Sequence, residues 1–307
     1  MTVRRRTGLL RAAGAAGAVT VIVLAAGCAS GDGPGSGDDP GSGAGTSVSS
    51  APVTSPTGEV TGASSSPGVE GAPPGATVPP TGASFHIQYE GAVDFGLPVD
   101  VYDLDGDDTA ETDVRGLRDR GVYPICYLSI GTVEDWRADA SDFPAEVIGE
   151  PYEEWPGERW LDIRRHEVLL PIMSRRIENC ADKGFLAIDP DSIDVFSNDS
   201  GFGLTEEDAV AYMRAIADIA HEHGLAIGLK NAGEIVPEVV DLVDFAVLEQ
   251  CLDLGECDWY APVAEAGKAV FDIEYVGRLA DVCAAAPAGF TVVRSDLPLS
   301  GAIERCA

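Results

Sequence analysis

The sequence predicts an α/β protein, a (β/α)8 TIM barrel that forms a single domain. Short apolar runs alternate with amphipathic stretches along residues 85–307, and eight such runs can be counted. Strands that alternate with helices form parallel sheets, and eight strands make a closed barrel. A doubly wound open sheet is the alternative, but residues 88–91 after the first run, Gln-Tyr-Glu-Gly, do not form a glycine-rich phosphate loop.

The apolar runs are the predicted strands. They cover Phe85–Tyr89, Val99–Tyr102, Val122–Ser129, Phe185–Ile188, Ala226–Leu229, Phe245–Leu248, Ala269–Ile273 and Thr291–Arg294. Helical patterns cover Thr109–Arg120, Glu167–Lys183, Glu206–His223, Pro237–Leu242, Tyr260–Ala266 and Val276–Ala286. In the second helix, Pro171 favours a regular part that begins near Leu170, and Gly184 is typical of a residue that ends a helix. Thr205 and Asp208 are typical of a capping box at the start of the third.

Residues 1–28 are typical of a lipoprotein signal peptide. Four arginines flank the start of an apolar run, residues 12–26, that is too short to span a membrane. Residues 24–28 resemble a lipobox, which predicts lipid modification of Cys28 and an extracellular protein anchored to the bacterial cell membrane. The alternatives are an ordinary cleaved signal with a chance cysteine and, for the export route, a twin-arginine signal at residues 5–6.

Residues 29–84 are rich in Gly, Ser, Pro and Thr and hold almost no large apolar side chain. Such a segment buries too little surface to offset the entropy of ordering it. We therefore expect a disordered linker between the lipid anchor and a barrel that covers residues 85–307.

The composition is strongly acidic, with a formal net charge of −31. This charge disfavours a nucleic-acid partner, because phosphates repel an acidic surface. It suits a cationic ligand, although an acidic surface is also a common means of keeping a protein soluble.

Acidic side chains follow four of the predicted strands: Asp103 and Asp105, then Asp189, Asp191 and Asp194, then Glu249, and then Glu274. Active sites of barrels lie at the carboxyl ends of the strands, so these residues are expected to converge. Converging carboxylates without matching bases are costly in a purely structural site. Glycoside hydrolysis uses two carboxyl groups, one to protonate the leaving oxygen and one as nucleophile or base. Asp191 and Glu249 follow the fourth and sixth predicted strands and fit these roles.

The motifs around these residues resemble glycoside hydrolase family 114, a family of endo-α-1,4-polygalactosaminidase-like TIM barrels. The matching motifs span nearly all of residues 85–307 in the same order. They are residues 101–105, 125–131, 134–137, 155–164, 184–194, 224–231, 249–251 with Cys257, and 267–275. Two departures stand out: Phe85-His86 replaces the usual Trp of the first strand, and Ser192 replaces the usual Asn after the catalytic Asp.

The resemblance implies endo-hydrolysis of an α-1,4-linked galactosamine polymer or a related amino-sugar exopolysaccharide. It implies Asp191 and Glu249 as the catalytic pair, without a cofactor, in a protein that we expect to be a monomer. The expected substrate-binding side chains are Asp103, Asp105, Tyr127, Asp189, Asp194, Lys230, Asn231, Glu274 and Tyr275. The alternative is a non-catalytic, lipid-tethered glycan-binding protein, and the presence of both carboxylates argues against it.

The six cysteines other than Cys28 are expected to form disulfides, because export leads to an oxidising compartment. Six cysteines allow 15 pairings. None forms a CxxC pair and histidines are few, so we expect no metal site. We predict Cys251–Cys257 as a local disulfide, with Cys126–Cys180 and Cys283–Cys306 as the other two.

Overall fold

The computed structural model describes residues 76–306, and the predicted signal peptide, Cys28 and most of the predicted linker lie outside them. The strands are β1 (Phe85–Gln88), β2 (Val101–Asp105), β3 (Tyr123–Ser129), β4 (Thr132–Glu134), β5 (Ile148–Pro151), β6 (Glu158–Leu161), β7 (Ala187–Asp191), β8 (Ala226–Lys230), β9 (Phe245–Glu249), β10 (Ala269–Glu274), β11 (Phe290–Arg294) and β12 (Glu304–Arg305). The α-helices are α1 (Glu111–Asp119), α2 (His166–Lys183), α3 (Glu206–Glu222), α4 (Val236–Val239), α5 (Cys251–Leu254), α6 (Ala261–Glu265) and α7 (Leu279–Ala285).

A curled sheet with the order β1-β2-β3-β7-β8-β9-β10-β11-β12 forms the barrel. Its first eight strands pair in parallel and are the eight predicted strands, with small shifts at their ends. Helices follow the strands, as expected for a TIM barrel, so the predicted fold class is confirmed. No helix among residues 76–306 is both long and apolar enough to cross a membrane.

The C-terminal segment bridges the eighth and first barrel strands. Strand β12 lies antiparallel to β11. From β12, Arg305 donates through Nε to the Phe85 carbonyl at 3.1 Å and through Nη2 to His86 Nδ1 at 2.9 Å, both in β1. The Cys283–Cys306 disulfide ties the end of this segment to α7. The last residues of the chain therefore help to hold the barrel closed.

The helix ends follow local sequence, with one exception. Gly184 ends α2 in the left-handed conformation, φ 98°, and Thr205 and Asp208 form the predicted capping box of α3. The helix predicted over Glu167–Lys183 is found within one residue, but the expectation that its regular part begins near Leu170 was wrong. The helix begins at His166, because the Arg165 carbonyl already accepts bonds from the backbone N–H groups of residues 168 and 169, and Pro171 lies inside it.

A small antiparallel sheet with the order β4-β6-β5 interrupts the barrel between β3 and α2. This sheet was not predicted, because its strands are short and carry acids at buried positions. Glu134 is buried because Arg137 binds it, and Glu158 is buried because the Thr132 hydroxyl donates to it at 2.7 Å. These acids stand where a strand pattern would show apolar residues.

Side chains that alternate along each strand divide the barrel into two hydrophobic layers. The outer cluster lies between the strands and the helices, and the inner cluster fills the barrel below its mouth. In the inner cluster the rings of Phe85 and Phe271 stack with centroids 4.4 Å apart. Gly228 leaves space for Phe245, since a Cβ at residue 228 would lie 2.8 Å from that ring. This packed floor supports the polar residues above it.

Candidate active site

Polar side chains replace the apolar ones at the carboxyl ends of five neighbouring barrel strands. Side chains on one strand face alternate sides, so positions two residues beyond the inner apolar cluster also point inward. These inward positions are held by Asp103 of β2, Tyr127 of β3, Asp189 and Asp191 of β7, Lys230 of β8 and Glu249 of β9. The predicted convergence at the mouth therefore holds for these six residues.

Lys230 lies at the centre of this group. Its Nζ is 3.1 Å from Asp191 Oδ1, 3.5 Å from Glu249 Oε2 and 3.8 Å from Asp189 Oδ2, and its side chain is only 3% exposed. Burial alone would lower the pKa of Lys230, but the surrounding carboxylates raise it well above its ordinary value. The lysine is therefore a fixed cation between the two predicted catalytic carboxylates.

Asp191 and Glu249 are the members of the group that solvent reaches, with side chains 25% and 27% exposed. The Tyr127 hydroxyl donates to Asp191 Oδ2 at 3.1 Å. The Tyr275 hydroxyl donates to Glu249 Oε1, and Asn231 Nδ2 donates to Glu249 Oε2 at 3.2 Å. Each carboxylate is thus held by a tyrosine and by Lys230, with one edge open to the mouth.

Comparison with known proteins agrees with this geometry. The profile of glycoside hydrolase family GH114 matches residues 66–307. The chain belongs to family GH114. A similar solved structure is that of Ega3 from Aspergillus fumigatus in complex with galactosamine, which is 32% identical with a TM-score of 0.72, over 76% of this chain and 99% of that one. The protein is therefore an enzyme, a glycoside hydrolase.

The glycoside hydrolase domain of PelA from Pseudomonas aeruginosa is a more distant neighbour of this GH114 enzyme. It is 18% identical with a TM-score of 0.57, over 73% of this chain and 99% of that one, a similarity that shows the fold alone. None of the curated proteins matches the chain.

Asp103 and Asp189 lie beneath the GH114 site and do not line it. Both side chains are fully buried, and neither turns an oxygen to the open mouth in this structure; their predicted contact with substrate stays a prediction. The Tyr89 hydroxyl lies 3.3 Å from Asp103 Oδ1 and 3.2 Å from Asp189 Oδ2. Burial and the Asp189 carboxyl raise the pKa of Asp103 well above its usual range.

Lys230 and Tyr127 are nearly buried as well, and their polar atoms face Asp191 rather than open solvent. The structure thus brings both predicted residues to the site but behind the carboxylates. Asn231 and Tyr275 are half-buried beside Glu249. These two predicted residues stand closer to a substrate.

Glu274 lies on the outer face of its strand, away from the other site residues, and its predicted substrate contact stays a prediction. Its neighbour Ile273 points inward, which turns Asp272 and Glu274 to the outer face of β10. Glu274 Oε1 accepts from the backbone N–H of Leu252 at 2.8 Å, and Asp272 Oδ1 accepts from that of Cys251 at 3.3 Å. The two carboxyls hold the start of α5, the segment that follows Glu249.

Asp105 has both its oxygens occupied, and its predicted contact with substrate stays a prediction. Arg137 binds them at 2.9 and 2.6 Å, and the backbone N–H groups of residues 107 and 108 donate to Oδ1. Asp105 therefore fixes the loop after β2. Asp194 is half-buried in the turn after β7, where its backbone carbonyl accepts from Ser197 and Asn198.

The backbone turns sharply directly after Asp191, Lys230 and Glu249, the three residues at the centre of the site. Ser192, Asn231 and Gln250 follow Asp191, Lys230 and Glu249 directly, and they have φ values of 66°, 48° and 61°. Positive φ is uncommon for residues other than glycine and clusters at functional sites. The three turns direct the chain away from the mouth immediately after each central side chain.

The β4-β6-β5 sheet adds residues to the site that the sequence analysis missed. Tyr152 follows β5; burial raises its pKa, and the charges of Asp194, Asp191 and Glu249 raise it further. Its ring stacks on buried Trp160 with centroids 4.2 Å apart. Burial raises the pKa of Glu158 to about 7, with Asp191 among the charges that add to this effect. The sequence motif around Trp155–Trp160 was the signal that this segment contributes to the site.

The three predicted disulfides Cys126–Cys180, Cys251–Cys257 and Cys283–Cys306 form in the structure. Cys251–Cys257 closes the loop that begins two residues after Glu249. Within residues 76–306, Cys251, Asp272 and Glu274 have ligand atoms close enough for a metal ion. The Cys251 sulfur is bonded to Cys257 and is not a ligand, so these residues do not form a metal site.

Proposed function

We propose that this GH114 enzyme is an endo-acting hydrolase of an α-1,4-linked galactosamine polymer, with Asp191 and Glu249 as its catalytic pair. The observation that carries the proposal is the arrangement of two partly exposed carboxylates on either side of the buried Lys230. The similarity to Ega3, which was solved with galactosamine, supports the substrate class.

In this proposal Asp191 is the nucleophile and Glu249 the acid and base. Asp191 has the shorter contact to the Lys230 cation, 3.1 Å against 3.5 Å, and a nearby cation favours an ionised carboxylate. Glu249 accepts from Tyr275 and Asn231, which fix its carboxyl group beside the mouth. Asp191 then attacks the anomeric carbon, while Glu249 protonates the departing oxygen and later activates water.

The spacing of the two carboxyls favours retention of the anomeric configuration. Lys230 Nζ contacts Asp191 Oδ1 at 3.1 Å and Glu249 Oε2 at 3.5 Å, so these oxygens lie at most about 6.6 Å apart, the sum of both distances. Carboxyls lie roughly 5–5.5 Å apart in retaining enzymes and roughly 6.5–9.5 Å apart in inverting ones. The upper limit excludes nearly all of the inverting range, which supports a double displacement through Asp191.

A cationic polymer fits the charge of the mouth. Besides the catalytic pair, Asp194 and Glu154 are negative charges that act on Tyr152. Lys230 offsets one of these four charges, so the group remains acidic. Protonated amino groups on a galactosamine chain would meet an acidic rim.

We further propose that the enzyme is exported, acts on polymer outside the cell as a monomer, and is anchored through lipid on Cys28. The signal-like residues 1–28 and the Gly-, Ser- and Pro-rich residues that follow support this arrangement. A lipid chain on a long polar tether would keep the barrel near the membrane and leave its mouth free to reach a polymer. Mass spectrometry of the membrane-bound protein would detect the lipid on Cys28, and an unmodified cysteine would contradict the anchor.

The test is a set of soluble polymers incubated with the purified enzyme: α-1,4-galactosamine, its fully N-acetylated form, and β-1,4-glucosamine. We expect oligomers of several sugars from the first polymer, because an endo-acting enzyme cuts within the chain. Proton NMR of the first products should show the α-anomer, since retention preserves the configuration of an α-linked substrate. Binding without cleavage would favour the alternative, a lipid-tethered glycan-binding protein, and initial β-anomer would contradict the proposed nucleophile.

A further inference from the structure

The Asp103 and Asp189 carboxyls form a buried pair behind the site. Both side chains are fully buried, and the Tyr89 hydroxyl contacts one oxygen of each, at 3.3 and 3.2 Å. The other oxygens, Asp103 Oδ2 and Asp189 Oδ1, have no hydrogen-bond partner among residues 76–306. A buried oxygen without a partner costs free energy, so two such oxygens in one pair need an explanation.

A single proton explains both unpartnered oxygens. Two ionised carboxylates offer only acceptors, and in a buried site they repel each other. If one of them is protonated, its O–H donates to the free oxygen of the other, and both oxygens gain a partner at once. Burial and the charge of Asp189 both favour the neutral form of Asp103, as the raised pKa of Asp103 indicates.

The position of Lys230 decides which carboxyl keeps the charge. Lys230 Nζ lies 3.8 Å from Asp189 Oδ2, whereas no ion pair joins it to Asp103 within residues 76–306. The cation favours an ionised Asp189, which leaves the proton on Asp103. The charged and titratable groups that face the pair are Lys230, Asp191, Glu249, Tyr89 and Tyr127.

We propose that Asp103 and Asp189 share one proton and act together as a positioning pair for Lys230. The pair carries one negative charge, which attracts the ammonium group from below while Asp191 and Glu249 attract it from the mouth. With one charge instead of two, the pair holds the lysine without drawing it away from the catalytic carboxylates. The proton itself is independent of the proposed substrate, whereas the effect on catalysis rests on the proposed function.

Infrared difference spectroscopy of the full chain at neutral pH tests the proton directly. Wild type minus Asp103→Asn should show the carbonyl band of a protonated carboxylic acid, because the amide replaces the O–H donor. Wild type minus Asp189→Asn should show the same band. An amide at position 189 can itself donate to the Asp103 carboxylate, so Asp103 no longer needs a proton. The matched control is Asp105→Asn in the same strand, whose carboxylate is bound by Arg137 and should give no acid band.

The Asp103→Asn/Asp189→Asn double variant decides the question. A difference band of the same size for both single variants and for the double variant supports the shared proton. A band twice as large for the double variant indicates two separately protonated acids, and no acid band in any of the three differences indicates two carboxylates; either result overturns the proposal.

Kinetics then test the positioning role by comparing Asp103→Asn with Asp103→Leu. The Asn amide can still donate to Asp189, whereas Leu leaves Asp189 Oδ1 buried and unpartnered. Because a misplaced catalytic group costs about 100-fold in rate, we expect the Leu variant to have a kcat about 100-fold below that of the Asn variant, with KM little changed. Equal kcat values in two folded variants overturn the positioning role. Absence of turnover in wild type would instead concern the proposed substrate.

Discussion

Lys230 Nζ lies 3.1 Å from Asp191 Oδ1 at the centre of the barrel mouth. The lysine is buried, while a quarter of the Asp191 side chain remains exposed. The cation therefore approaches the carboxylate from the protein side and leaves the opposite side for substrate. Such a contact stabilises the charge of Asp191 without competing with a sugar for its open edge.

Lys230→Met should remove the contact between the ammonium group and Asp191 while keeping a side chain of similar shape. Without the cation, the neighbouring carboxylates repel one another, and removal of one partner from a buried ion network costs about 3 kcal/mol. We expect kcat to fall at least about 100-fold and the free energy of unfolding in urea to fall as well. The control is Lys268→Met, which removes a lysine that binds the carbonyls of residues 240 and 243 far from the mouth. Equal kcat values for the two variants would contradict the role of Lys230.

Asp191→Asn and Glu249→Gln should each abolish turnover without unfolding the domain. Each change removes an ionisable group but keeps the size and most hydrogen bonds of the side chain. We expect rates at least about 1000-fold below wild type, with melting temperatures close to it. Asp218→Asn, on the exposed face of α3, is the control for a change of charge alone. A folded variant with the wild-type rate would remove its residue from the catalytic pair.

The barrel strands could be predicted from the sequence because burial on both faces makes them continuous apolar runs. The β4-β6-β5 sheet could not, because Glu134 and Glu158 are acids at buried positions and each is buried through a specific side-chain partner. Arg137 and Thr132 satisfy these acids, and no strand pattern reveals such pairing. Interactions that depend on three-dimensional contact were the ones missed.

Three-dimensional contacts also explain why the site was predicted only in part. The motifs predicted which acids gather at the mouth, but the face and depth of each acid depend on the strand register. Glu274 follows an inward-facing residue and so turns outward, and Asp103 lies one layer below the surface. A shift of the predicted strand end by a few residues was enough to misplace both. Hydrogen-bond partners such as Arg137 for Asp105 lie on other loops and could not be assigned from spacing.

Ser192→Val should destabilise the enzyme, whereas Ser192→Asn should be tolerated. Ser192 has φ 66°, a conformation that Asn adopts readily and a β-branched residue strongly resists. The two replacements have similar size, so the difference between them reports on the backbone. We expect the free energy of unfolding to be about 2 kcal/mol lower for the Val variant than for the Asn variant. Equal values in urea titrations would indicate that the turn after Asp191 is not strained.

Glu158 should make stability depend on pH in a defined direction. Burial raises its pKa from 4.5 to about 7, so between these values the folded protein keeps a proton that the unfolded chain has lost. Stability therefore falls as pH rises from about 4.5 to about 7, by up to about 3 kcal/mol from this residue. Glu158→Gln should lack this contribution. Urea titrations across the range test it, and wild-type and variant curves that run parallel would contradict the raised pKa.

The last prediction concerns the charge of the substrate. If the acidic mouth binds protonated amines, the fully N-acetylated polymer should be a poorer substrate, because it carries no cations. High salt should raise KM on the free-amine polymer, since the Debye length falls to about 3 Å at about 1 M salt and screens exposed charges. The residue to change is Asp194, because Asp103 and Asp189 are buried; Asp194→Asn should raise KM more than it lowers kcat if it contributes uniform binding. Asp218→Asn on the far surface is its control. A purely solubilising surface would give equal rates on both polymers and a KM independent of salt, and that result would remove the electrostatic basis for choosing a cationic substrate.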